Sequence, residues 1–131
     1  AAIPLFMNAL INKQCPTING DREQTRDFTF VANAVQANIK AMLTENINIT
    51  GDVFNIAIGE RVSLNELIKT LNELIGTNIQ PHYTAERPGD VRDSLADISK
   101  ANSILGYVPQ YKIREGLKYT LDWFSKIYKK S

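Results

Sequence analysis

Residues Asp52–Gly76, DVFNIAIGERVSLNELIKTLNELIG, carry the strongest fold signal in the chain. The first seven are nearly apolar throughout and Gly59 ends the run, so they predict a strand. Such a run is usually covered on both faces, which favours an α/β layer arrangement. Ser63 followed by Glu66 spells a capping box, in which the hydroxyl accepts from an early helical N–H and the carboxylate reaches back to the cap. A helix over Leu64–Ile75 follows, ended by Gly76, a good left-handed residue. The link Gly59–Ser63 joins strand to helix as a phosphate loop would, but it lacks the glycine spacing and the lysine, and predicts a tight connection.

Towards the N-terminus, Ile3, Phe6, Met7, Leu10 and Ile11 share one face at the helical period, with Pro4 in the first turn and an end near Lys13. Pro16-Thr17-Ile18 leaves room only for a short extended piece, closed by the turn signal Asn19-Gly20-Asp21. Thr25–Val31 alternates and predicts a strand or extended segment. From Ala32 to Glu45 the period turns helical, with Val35, Ile39, Met42 and Leu43 as the apolar stripe. Beyond Gly76, Ile79–Thr84 predicts another strand. Asp97 predicts the cap of a short helix through Leu105, with Gly106 past its end. A last helix runs from Lys112 or Ile113 to about Lys129, with Leu117, Leu121, Phe124 and Tyr128 along one side. Lys126, Lys129 and Lys130 complement its dipole. Helices interleave with short strands throughout, a small mixed α/β pattern without repeats.

A chain of 131 residues fits one domain, residues 1–131, which would bury roughly two-thirds of its unfolded surface. Fifteen Lys and Arg against fourteen Asp and Glu create no strong field, which argues against nucleic acid or an anionic membrane as partner. Cys15 stands alone, so no internal disulfide or cysteine-based zinc site can form, and a packed, inert thiol is expected. The apolar runs fall far short of the ~20 residues of a membrane span, and a reducing cytoplasm suits the composition. Ala1-Ala2-Ile3-Pro4 enters a helical pattern without a methionine, which reads as a chain joined in its middle; a processed or tagged terminus is the other reading.

Two segments carry the functional signal, GDREQTRDFTF over 20–30 and RPGDVRDSLADISKA over 87–101. Arg26 has the planar donor fork that engages a diphosphate in bidentate fashion, and could equally form a surface pair with Asp27 or Glu23. Pro88-Gly89 makes a turn that fixes Arg87 and Asp90, so that Arg87 could meet phosphate oxygens while the Asp90 carboxylate accepts from two ribose hydroxyls; a solvated charged loop is the alternative. His82, the only histidine, lacks a neighbouring carboxylate or serine motif and points to a structural or surface role. None of the five tyrosines is followed by a lysine four positions on, and no Gly-rich dinucleotide fingerprint is present.

With these residues in hand, the chain resembles the C-terminal, substrate-binding lobe of an extended short-chain dehydrogenase/reductase, and more narrowly of a bacterial UDP-sugar 4-epimerase. The resemblance rests on AAIPLFMNALINK, PTINGDREQTRDFTFV, GDVFNIAIG followed by SLNEL, RPGDVRDSLADISKA and LGYVPQYKIREGLKYTLDWF, in the family's order and over nearly the whole chain. It implies that Arg26 and Arg87 bind the UDP diphosphate, that Asp90 binds the ribose, and that Ala2, Ile3, Thr17, Ile18 and Asn19 line the uracil pocket. It implies NAD and the catalytic groups on an N-terminal Rossmann domain absent from this chain. No cofactor, metal or catalytic residue is then expected here, and the fragment alone should be inactive. The implied parent is a cytoplasmic homodimer acting on a UDP-hexose or UDP-N-acetylhexosamine. A sister 4,6-dehydratase or UDP-glucuronate decarboxylase, or a non-catalytic nucleotide-binding module, are the alternatives. Arg22 stands where the family usually has glycine, and Ala32 where an acidic residue commonly follows the Phe-Val pair.

Overall fold

In the computed structural model, which describes residues 2–20, 23–86 and 88–128, α-helices surround two short sheets. The order is α1 (Ala2–Ile11), β1 (Thr17–Asn19), β2 (Thr25–Arg26), α2 (Val31–Leu43), a 3₁₀ turn (Ile47–Ile49), β3 (Val62–Ser63), α3 (Leu64–Ile75), β4 (His82–Thr84), α4 (Ser99–Leu105) and α5 (Ile113–Tyr128). This is the mixed α/β arrangement the sequence predicts.

The helix α3 forms as its local code dictates. Glu66 N donates to Ser63 Oγ at 3.1 Å while Ser63 N donates to Glu66 Oε2 at 2.9 Å, and Gly76 closes the helix in the left-handed region at φ 79°. Its inner face buries Leu67, Ile68 and Leu71 against Phe6, Met7 and Leu10 of α1, Ile18 of β1, and Leu117 and Phe124 of α5. Full burial of such side chains stabilises by about 1.5–3 kcal/mol each, so this cluster is the main core. Beyond α3, the Asn72 carboxamide accepts from Ile79 N and Thr77 Oγ1 and donates to Ile79 O, which turns the chain into β4. There β4 pairs in parallel with β1, Ile18 opposite Tyr83. Asp97 is not the cap expected of it: the N-cap of α4 is Ile98, without a side-chain cap bond, and Asp97, one residue earlier, accepts from Ser99 N at 2.9 Å in a local turn, the hydrogen bonds from Ser99 holding its carboxyl below the usual range. His82 is exposed.

A second, smaller cluster gathers Ala37, Ala101 and Tyr107, with Phe54, Ile56 and Ile98 against it. The Tyr107 hydroxyl donates to Ala57 O at 2.8 Å; burial, then the charge of Asp27, push its phenol above the usual range. Asn33 is fully buried and makes three hydrogen bonds: Nδ2 donates to Tyr111 O, and Oδ1 accepts from Gln110 N and Tyr111 N.

Four further expectations are corrected. Asp52–Ile58 is not a strand: it runs without helix or ladder, because no described strand lies beside it. Its backbone bonds side chains instead, Ile58 N and Gly59 N donating to the Asp27 carboxylate and Val53 O accepting from Lys100 Nζ. Of Thr25–Val31, expected as a strand or extended segment, only Thr25 and Arg26 join a ladder, residues 27–30 carry none, and Val31 already begins α2. The apolar stripe of α2 faces outward: Val35 and Ile39 are about half exposed, at 51% and 47%, and Met42 and Leu43 more so, while Asn33 and Ala37 are buried. Burial follows the hydrogen bonds of Asn33 rather than the hydrophobic period. Cys15 is exposed, not packed.

Two consequences are measurable. Asn33→Ala should lower the unfolding free energy by about 2–3 kcal/mol, because three backbone groups lose their partner, whereas Val35→Ala should stay within about 0.5 kcal/mol. Urea unfolding followed by circular dichroism reads both, and the reverse ranking would contradict this account of α2. Asp27→Ala should raise amide exchange at Ile58 and Gly59 about ten-fold or more, as expected for hydrogen bonds to a charged acceptor. Unchanged exchange there, measured by NMR, would show the carboxylate to be dispensable.

Candidate nucleotide cleft

The strand β2 is engaged on both sides. On one it pairs antiparallel with β3, Thr25 opposite Ser63 and Arg26 opposite Val62. On the other, Thr25 N donates to Arg92 O at 3.0 Å, Ser94 N donates to Thr25 O at 3.2 Å, and Thr25 Oγ1 donates to Asp93 Oδ1 at 2.6 Å. Two segments 68 residues apart in sequence are thereby held side by side. This pairing brings Arg26 and Asp90 to one cleft.

The cleft has a volume of about 410 Å³. Ala2, Leu5, Phe6 and Ala9 of α1 form one wall, with Ile18 and Leu64 also lining it. Around them stand Cys15, Pro16, Thr17, Asn19, Gln24, Arg26 and Asp90. Arg26 donates from Nη1 to Thr25 O at 2.8 Å and to Arg92 O at 3.1 Å, which anchors one edge of the guanidinium. Both acceptors are neutral carbonyls, so among the described residues the guanidinium forms no ion pair, and the rest of its donor fork is available. Asn19 Oδ1 accepts from Thr84 Oγ1 at 2.7 Å, which fixes that side chain across the β1–β4 pair. A ligand with a flat apolar end and an anionic, hydroxyl-bearing end matches these groups.

Of the residues singled out in the sequence, Ala2, Thr17, Ile18, Asn19, Arg26 and Asp90 line this cleft together. Ile3 does not: it faces a separate apolar cavity of about 280 Å³ with Phe28, Phe30, Val31, Ile113 and Leu117. Arg87 and Arg22 lie outside the described residues. Three residues to which the sequence reading gave no part in the site matter here. Asp27 holds residues 58–59, Cys15 lines the cleft, and Gln24 is buried in it. The signal for Gln24 was available, since period two puts it on the face of Arg26. Asp93 and Asp97 are engaged with Thr25 and Ser99 respectively and do not form an acid–base pair. Among the described residues no group of three or more His, Cys, Asp or Glu could hold a metal ion, and no helix is long and apolar enough to cross a membrane.

Comparison with known proteins agrees with the resemblance read from the sequence. The family model described as GDP-mannose 4,6 dehydratase matches residues 2–120. A putative UDP-glucose 4-epimerase of Methanocaldococcus jannaschii is 35% identical over 121 residues, 92% of this chain and 38% of that protein. The dTDP-glucose 4,6-dehydratase of Haemophilus influenzae is 36% identical over 135 residues, covering 93% of this chain and 39% of that protein. The crystal structure of UDP-glucuronic acid 4-epimerase from Bacillus cereus, in complex with UDP-glucuronic acid and NAD, superposes with a TM-score of 0.90 at 30% identity, over 98% of this chain and 40% of that one. The chain thus spans about two-fifths of the length of these relatives. It belongs to the GDP-mannose 4,6 dehydratase family, and its fold is that of the C-terminal lobe of the extended short-chain dehydrogenase/reductase epimerases.

Proposed function

We propose that this chain, acting as a single domain, is the nucleotide-sugar-holding lobe of an NAD-dependent UDP-sugar 4-epimerase. The observation that carries the reading is the cleft in which an Arg26 anchored only on carbonyls and the Asp90 carboxylate stand beside the apolar wall of α1. Arg26 and Arg87 hold the diphosphate, Asp90 the ribose hydroxyls, and Ala2, Thr17, Ile18 and Asn19 the base. Ile3 serves the core behind that wall rather than the base itself. Binding energy from the nucleotide, remote from the reacting carbon, positions the sugar while leaving it free to present either face.

Oxidation at C4 and return of hydride to the opposite face belong, in this reading, to a second domain that carries NAD. The exposed stripe Val31, Val35, Ile39 and Met42 on α2, beside the unpaired segment 53–56, supports a covering partner of that kind. The parent works in the cytoplasm as a homodimer. The lobe alone has no catalytic group and is inactive.

The 36% identity to a dTDP-glucose 4,6-dehydratase supports a second reading, in which the same lobe serves a nucleotide-sugar 4,6-dehydratase or, by the same logic, a decarboxylase. Product analysis by NMR separates the three: a C4 epimer, a 4-keto-6-deoxy sugar, or a sugar short of carbon dioxide. Joined to the coding sequence upstream of Ala1, the chain should interconvert UDP-sugars in the presence of NAD; a parent protein with no nucleotide-sugar activity would sink the reading. In that parent, Arg26→Ala and Arg87→Ala should each weaken UDP-sugar binding by about 1.5–3 kcal/mol and leave NAD retention unchanged. Calorimetric titration with UDP checks this, and undiminished affinity in both variants would refute the assignment.

A further inference from the structure

Gln24 is the most deeply buried polar side chain lining the cleft, only 4% exposed, although Glu23 beside it is exposed. Its carboxamide makes no hydrogen bond to any described side chain or backbone group; the backbone alone is tied, Gln24 O accepting from Leu64 N at 3.1 Å. Shape holds the side chain in place. It lies over Gly20, which sits at φ +104°, so that a Cβ at Gly20 would collide with Gln24 Nε2 and lie 2.9 Å from its Cδ. The absence of a side chain at Gly20 makes the room that this amide occupies.

An amide carries two donors and an acceptor, and those of Gln24 are not sealed off from the cleft it lines, so they are available to a ligand there. Among the described residues, the other two buried polar side chains are engaged, Asn33 fastening α2 to residues 110–111 and Asn72 turning α3 into β4, while the one sealed polar atom without a partner is Gln36 Oε1 on α2. Gln24 fastens nothing. It shares the face of Arg26, two residues on along the extended chain, and it lines the cleft together with Asn19 and Arg26 while lying against Gly20.

We infer that Gln24 is a positioning residue for the ligand: its carboxamide hydrogen-bonds a nucleoside diphosphate on the nucleoside side of the phosphates that Arg26 holds. This rests on the nucleotide-cleft reading above and adds to it a neutral, bidirectional contact that selects for the nucleotide rather than for negative charge alone. Arg26 would accept any polyanion; the amide asks for a donor or acceptor at a fixed distance from it.

The test is a calorimetric titration of UDP and of inorganic pyrophosphate into the parent protein and three variants. Gln24→Met keeps the volume and removes both hydrogen-bonding functions; Gln24→Glu keeps the shape and replaces the donors by a charge. Each should weaken UDP about ten-fold. Pyrophosphate should be nearly unaffected by Gln24→Met, so that the ratio of the two affinities falls. Arg26→Ala should weaken both ligands alike. Folding of each variant is checked by its ¹H–¹⁵N spectrum, and the side-chain NH₂ signals lost in Gln24→Glu should be those that shift when UDP binds the unmodified protein. Normal UDP affinity in folded Gln24→Met, with Arg26→Ala impaired, overturns the inference and leaves the cleft reading standing. UDP affinity unaltered in Arg26→Ala as well, or no affinity in the parent, overturns both.

Discussion

Everything around the cleft depends on one carboxylate accepting two consecutive amides. Asp27 takes hydrogen bonds from Ile58 N at 3.0 Å and Gly59 N at 2.9 Å, so the peptide that follows Arg26 is tied to the segment leading into β3. That tie seats β2 against β3 and leaves the arginine facing the cleft while its neighbour faces inward. A carboxylate is suited to the task because it has acceptor capacity for both N–H groups, which would otherwise lack a partner in a segment that no strand accompanies.

The same economy recurs elsewhere. Asn33 and Asn72 each spend one buried amide on closing the end of a helix against a loop, and Tyr107 spends its hydroxyl on Ala57 O. These polar groups each tie a helix or a loop to a distant backbone segment, whereas exposed ion pairs such as Arg114–Glu73 and Lys112–Glu60 contribute little. Polar cross-links of this kind fix orientation at short range, which hydrophobic area alone does not.

What could be read from the sequence follows the range of the forces involved. The capping box at Ser63 and Glu66, the left-handed Gly76 and the apolar faces of α1 and α5 are local, and they appear where the sequence places them. Residues 52–58 have strand propensity but no neighbour to pair with, and α2 carries a hydrophobic period with nothing against it; both were misread because sheet and helix faces are completed by partners, not by propensity. In the cleft, Arg26 and Asp90 were legible from their chemistry and their flanking turns. Gln24 shares the face of Arg26 by period two, but its burial was not legible, since a polar residue in a charged loop looks solvated until the glycine beneath it is seen to make room.

The outward apolar stripe of α2 also changes what selection would see. On this chain studied alone, replacing Val35, Ile39 or Met42 by a polar residue removes nothing from the core and makes the surface easier to dissolve. Within a larger protein that covers the stripe, the same replacement would strip an interface. A map of tolerated substitutions therefore carries opposite signs on this one helix depending on the length of the chain in which it is measured, and the inversion itself would mark the boundary between the two bodies.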